Sequence, residues 1–179
     1  MTLNTILEAR NGYVKGHPQR VAKYAKNIAQ KLAVGCKEIE IIEFAALFHD
    51  IGKIGISDFI LQKSSTLTDE EYATIKMHSV IGGEILGCFP SFHKEQIIVR
   101  HHHENYDGSG YPDGLKGKHI PMGARILTIV DTYDIMTSQQ PYHAPFSHSQ
   151  AVNEIKKYSG YQFDPELTAV FLEIMGGDK

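Results

Sequence analysis

Apolar residues recur at helical spacing through almost the whole chain. Between 18 and 34 they fall at Val21, Ala25, Ile28 and Leu32, a spacing that lines one face of a helix. Pro18 suits the first turn of that helix and Gly35 its stop. Residues 37–50 repeat at Ile39, Ile42, Ala46 and His49, so a second helix carries a histidine on its buried stripe before Gly52 breaks it. Thr68 and Glu71 form a capping box, with Leu67 and Tyr72 spaced for a hydrophobic staple. The helix they open carries Tyr72, Ile75, His78 or Ser79, and Ile85 or Leu86 on its apolar face. Pro90-Ser91 starts another that runs through Ile97 and Ile98 to the histidines at 101–103. Pro121 begins one through Leu127, Val130, Asp131 and Asp134. Ser147 and Asp164-Pro165 start two more, ending near Gly160 and Gly176.

No alternating run is bounded by hairpin turns, and no internal repeat is visible. The one long stretch without helical period is 104–120, ENYDGSGYPDGLKGKHI. A structureless loop of that length in a compact domain is usually functional. The pattern therefore predicts an all-α, single-domain bundle of seven or eight helices with one long glycine-rich loop. The domain is read as 1–179, with 1–16 as a lead-in.

Composition narrows the function classes. The chain has 179 residues, 42% apolar and 22% charged, enough to bury a core. A net charge of −3 gives no reason to expect DNA or RNA as a partner. No apolar run is long enough to span a membrane, and the first residues lack the pattern of a secretory signal. Cys36 and Cys88 form no CxxC pair and read as small core groups. The expectation is a reduced, cytoplasmic domain. What stands out is histidine, with ten in the chain.

His49-Asp50 ends the apolar segment FAALFHD, where a buried polar ring or charge needs a partner. Taken alone, the pair reads as a satisfied core histidine beside a turn residue. It is not alone. His17 precedes a helix, His78 lies on a helix face, His102 and His103 end another, and Asp131 sits inside ILTIVDTYDIM. Five helical segments thus offer imidazole or carboxylate at an end or on a buried face, as in metal sites built between the helices of a bundle. Five imidazoles and two carboxylates can hold two first-row transition ions.

At these residues the chain resembles the HD-GYP subfamily of the HD phosphohydrolase superfamily. The matching pieces are HPQRV (17–21), HDIGK (49–53), KMHSVIGGEIL (76–86), HHENYDGSGYPDGLKG (102–117), IP (120–121) and DTYDIMTSQQPY (131–142). The resemblance implies an all-helical cyclic-di-GMP phosphodiesterase with two or three metals, commonly iron or manganese. It makes His17, His49, Asp50, His78, His102, His103 and Asp131 the metal ligands, with Asp50 bridging. It places Lys53 beside the substrate phosphate, and Gly110, Tyr111 and Pro112 at the border of the site, where the loop is associated with substrate access and a signalling-protein partner. It also implies that a sensory or receiver domain can precede this one, and it leaves room for a homodimer.

Two departures from the family pattern matter. Tyr13 stands where three-metal members carry a glutamate, which favours two metals. Gln140 stands where an arginine usually precedes the PY dipeptide. It loses the charge and the bidentate fork, which leaves the preferred cyclic dinucleotide open.

A hydroxide shared by two such ions would attack phosphorus in line and expel a ribose 3′-oxygen, giving a linear dinucleotide. Asp50 and Lys53 are the expected catalytic residues, Lys53 by stabilising negative charge in the transition state. Lys116, Lys118 and Arg125 are candidates for added positive potential near the loop. Two alternatives stay open: a nucleotide-sensing or protein-interaction domain that keeps the metal site, and a phosphohydrolase of another nucleotide. Residues 105–116 imitate an EF-hand start, but Lys116 replaces the required glutamate, so calcium is rejected.

Overall fold

A computed structural model describes residues 16–63, 65–139 and 144–176. Tyr13 and Gln140 lie outside the described residues. Among these there are eight α-helices: α1 (His17–Lys31), α2 (Cys36–Phe48), α3 (Asp58–Leu61), α4 (Asp69–Gly87), α5 (His93–His101), α6 (Met122–Thr137), α7 (His148–Lys157) and α8 (Pro165–Gly176). Short 3-10 turns occupy Ile51–Gly55, Pro90–Phe92 and Gly117–His119. The described residues contain no strand, only an isolated bridge between Ser159 and Phe163. No helix among them is long and apolar enough to cross a membrane.

The bundle is organised around α6. Ten of its residues, from Gly123 to Asp134, are buried, so this helix is covered on nearly all sides. That explains why an aspartate in ILTIVDTYDIM is inaccessible. Helix α1 packs on both α2 and α6, and α4 packs on α5 and on the 3-10 turn after Asp50. Val21, Ala25 and Ile28 of α1 meet Ile42 and Ala46 of α2, Val99 of α5 and Leu127 and Val130 of α6 in one core. The histidines at the ends and on the inner faces of these helices are thereby brought to one end of the bundle.

Two expectations are corrected. Helix α1 ends at Lys31, before Gly35, because Val34 N–H donates to Ala29 O (3.4 Å) and Ala33 N–H to Gln30 O (2.9 Å), the paired bonds of a Schellman stop. Ala33 takes the left-handed position, with φ 54°, and Gly35 is instead the N-cap of α2. Cys36 and Cys88 are exposed rather than core groups, because one opens a helix and the other caps one, and helix ends lie at the surface. The capping box at Thr68 and Glu71 forms, and Tyr72 beside it is 49% exposed.

Candidate functional site

Each histidine is aimed by the local chain. Helix α2 closes at Phe48, and the backbone tightens into the 3-10 turn Ile51–Gly55, which turns His49 and Asp50 toward one point. Gly52 lets this turn lie directly on α4: a Cβ there would stand 1.8 Å from His78 O and 2.5 Å from Gly82 N. His78 is thereby locked beside Asp50. His102 follows α5 as its C-cap, and Thr128 of α6 donates its hydroxyl to His102 O (2.9 Å), tying that turn to the central helix.

Two clusters result, one of His17, His49 and Asp50 and one of His78, His102 and His103. Within each, one ligating atom per residue lies within 4.8 Å of the others. The Nε2 atoms of His17 and His49 are 3.4 Å apart, and those of His78 and His102 are 3.3 Å apart. Asp50 joins the clusters, with Oδ2 3.6 Å from His49 Nε2 and Oδ1 3.5 Å from His78 Nε2. Asp131 Oδ1 lies 3.2 Å from His17 Nε2 and 3.7 Å from His49 Nε2. All seven residues of the sequence constellation meet here.

The arrangement fits metal ions on two observations. First, His49, His78 and His102 each donate Nδ1–H to a backbone carbonyl, of Ala46, Ile75 and Val99, at 2.6–2.7 Å. That fixes the tautomer and leaves each Nε2 lone pair facing the cluster, as metal-ligating histidines require. Second, Asp131 Oδ1 is buried with no well-formed hydrogen bond, its near neighbours being the ring nitrogens His17 Nε2 at 3.2 Å and His49 Nε2 at 3.7 Å, so it is an acceptor that a cation would satisfy.

Electrostatics separate the two clusters. Burial pushes the pKa of His78, His102 and His103 down, so they stay neutral. Burial also opposes charge on His17, yet the carboxylates of Asp131 and Asp134 outweigh it and lift that pKa to about 9. Burial would raise the Asp50 pKa, but Lys53, His49 and His78 hold it well below the carboxylate range. His17 is therefore charged at neutral pH and must shed a proton to ligate through Nε2. We expect metal binding near neutral pH to release about one proton from His17, fading as pH rises through about 9. Calorimetric titration in two buffers of different ionisation enthalpy measures it, and zero release would contradict the His17 assignment.

The periodicity showed Asp134 only as a helical repeat. Its carboxylate accepts from His17 Nδ1 (2.8 Å) and from Arg20 Nε and Nη2 (2.6 and 2.9 Å). Its signal in the sequence was the i, i+3 spacing from Asp131, which puts both carboxylates on one helix face.

Beside the clusters lies a cleft of about 360 Å³, lined by His103, Asp131, Gly110, Tyr111, Lys76 and Gln162 among others. Gly110 packs its backbone against the chain after α5: a Cβ would stand 2.2 Å from Asn105 N. Tyr111 stacks on His103, with ring centroids 4.9 Å apart, and Pro112 follows it. The loop is held by Glu104, whose carboxylate accepts from Asp113 N (2.8 Å) and Leu115 N (3.1 Å).

Three of the candidate cations are held in ion pairs. Lys53 bonds Asp50 Oδ2 at 2.6 Å and is not among the residues lining the cleft. The lysine on the cleft wall is Lys76, its ammonium 4.5 Å from the Tyr72 ring centroid and 5.3 Å from that of Tyr111. Lys118 and Arg125 both pair with Asp164, which removes them as free positive potential. His101 is held between Ile97 O (2.7 Å) and Asp113 (2.9 Å).

With this geometry in hand, known proteins give the context. The model of the HD domain family matches residues 1–167. A cyclic di-GMP phosphodiesterase of Thermotoga maritima is 39% identical over 174 residues, covering 96% of this chain and 47% of that protein. A 3′3′-cGAMP-specific phosphodiesterase 2 of Vibrio cholerae is 35% identical over 173 residues, covering 96% of this chain and 33% of that protein. The chain thus spans less than half the length of these relatives. A crystal structure of a cyclic GMP-AMP specific phosphodiesterase of V. cholerae (V-cGAP3) shares the fold with a TM-score of 0.75 at 21% identity. It covers 98% of this chain and 47% of the other.

Proposed function

The chain belongs to the HD-domain family, and on that premise we propose that it is a metal-dependent phosphodiesterase that opens cyclic dinucleotides at a pair of transition-metal ions, iron or manganese. The observation that carries this reading is Asp50, whose two oxygens face His49 and His78 and join two imidazole clusters into one centre. In this reading His17, His49, Asp50 and Asp131 hold one ion, and Asp50, His78, His102 and His103 hold the other. Bound metal ions supply an acidified water as nucleophile and positive charge against the phosphate oxygens.

The remaining roles belong to the chain's own side chains. Lys53 keeps the Asp50 carboxylate ionised and oriented through its 2.6 Å ion pair. Lys76 presents an ammonium on the cleft wall, where a phosphodiester bears its charge. The Tyr111 ring shields one side of His103 and closes the cleft with Gly110, limiting water around the reacting phosphorus. The phosphorus bond to the ribose 3′-oxygen breaks, a water oxygen takes its place, and a linear dinucleotide leaves. The named relatives act on cyclic di-GMP and on 3′3′-cGAMP. That similarity supports the shared class, a cyclic dinucleotide, as the substrate in this reading, with Gln140 a determinant of which one.

The test is incubation of the purified chain, loaded under reducing conditions with ferrous or manganous ion, with cyclic di-GMP, 3′3′-cGAMP and cyclic di-AMP. We expect metal-dependent formation of a linear dinucleotide from at least one, read by chromatography. Binding without conversion for every metal and nucleotide would overturn the enzymatic reading and favour a sensor.

A further inference from the structure

A second groove, of about 510 Å³, adjoins the cleft and shares Asn105, Ser109 and Gln162 with it as a common wall. Its remaining lining is Asp107, Lys157, Tyr158 and Tyr161. The two tyrosines are 43% and 64% exposed, so their rings are open to the groove. The floor of the groove is braced. Asp107 N–H donates to Tyr161 O (2.8 Å) and Tyr106 N–H to Gln162 O (3.1 Å), so the glycine-rich loop and the turn after α7 are stitched together by backbone bonds. The Gln162 amide reaches Thr132 of α6, the neighbour of Asp131, at 3.4 Å.

Resting on the phosphodiesterase reading above, we infer that this groove receives the base of the second nucleoside of the cyclic dinucleotide, stacked on Tyr161, while the scissile phosphate lies at the metal centre. Size points this way: ligand pockets run to roughly 300–1,000 Å³, and the cleft of about 360 Å³ sits at the low end for a ligand with two bases and two phosphates. Chemistry points the same way. Exposed aromatic rings are stacking platforms for bases, and the interleaved amides of Asn105 and Gln162 offer both donors and acceptors to a base edge. Lys157 is paired with Glu154 (3.3 Å) and lies 4.9 Å from the Tyr158 ring centroid, so the rings and amides rather than a free cation carry the recognition.

The test compares two substrates. A cyclic dinucleotide spans both grooves, whereas bis(4-nitrophenyl) phosphate needs only the metal centre and the cleft. Tyr161→Ala is expected to raise KM for the cyclic dinucleotide by about fivefold or more, the loss of one base–aromatic stack, with kcat little changed. Turnover of the small diester should stay at the wild-type level, and Tyr161→Phe should match wild type on both. An unchanged KM for the cyclic dinucleotide in Tyr161→Ala would overturn the subsite, as would an equal loss on both substrates, which marks a structural effect. Wild-type protein that cleaved the small diester but no cyclic dinucleotide would instead defeat the functional reading, and the subsite with it.

Discussion

Asp50→Ala is expected to abolish binding at both metal positions and to lower phosphodiester turnover by about a thousandfold or more. The reason is geometric. One carboxylate faces both clusters, so its loss removes a ligand from each at once, whereas loss of any single imidazole leaves the other cluster intact. The fold should survive, because the Asp50 side chain makes no cap bond to the turn that follows it and Lys53, its partner, is 24% exposed and can be solvated. Elemental analysis, circular dichroism and turnover on one preparation measure all three. His78→Ala is the comparison, and it should keep metal in the cluster of His17, His49 and Asp50. An Asp50→Ala protein with full metal content and full activity would refute the assignment.

Gly52→Ala should be the most damaging single methyl added at any glycine among the described residues. The new carbon would stand 1.8 Å from His78 O, 2.5 Å from Gly82 N and 2.8 Å from His78 C. All three are backbone atoms of one helix and cannot swing aside as a side chain would. Overpacking a well-filled site costs about 1–3 kcal/mol, occasionally more, and here the upper end is expected. At roughly 2–4 °C per kcal/mol for a chain of this size, the melting temperature should fall by about 6–12 °C. Metal affinity should fall with it, because the turn that carries Asp50 must move off the helix that carries His78. Gly35→Ala is the control, since no atom lies within 4 Å of its added Cβ and its φ is −64°, and it should melt close to wild type. Equal melting temperatures for the two variants would contradict the close-approach account.

The candidate site was legible where a polar residue broke an apolar pattern. His49 on a buried stripe and Asp131 within ILTIVDTYDIM both announced themselves, because burial of such groups demands a partner. Asp134 and Arg20 were harder to see. Each is ordinary on a helix in the sequence, and only the meeting of α1 with α6 makes them a brace for His17. Lys118 and Arg125 misled for the same reason, since Asp164 reaches them from 39 or more positions away along the chain. Local chemistry misplaced the helix stop as well. Gly35 is the better residue for a left-handed position, yet the backbone closes two residues earlier on Ala33. The cysteines follow a burial tendency that helix ends override. Periodicity thus recovered which faces turn inward, while pairings between distant segments came only from the packed structure.

The account stands most directly on the number of ions that activity requires. Metal-free protein, titrated with ferrous or manganous ion under reducing conditions, should gain cyclic-dinucleotide hydrolysis until about two ions are bound per chain, then reach a plateau. A plateau at one ion per chain, or full activity in the metal-free protein, would contradict a centre in which Asp50 joins two metal positions.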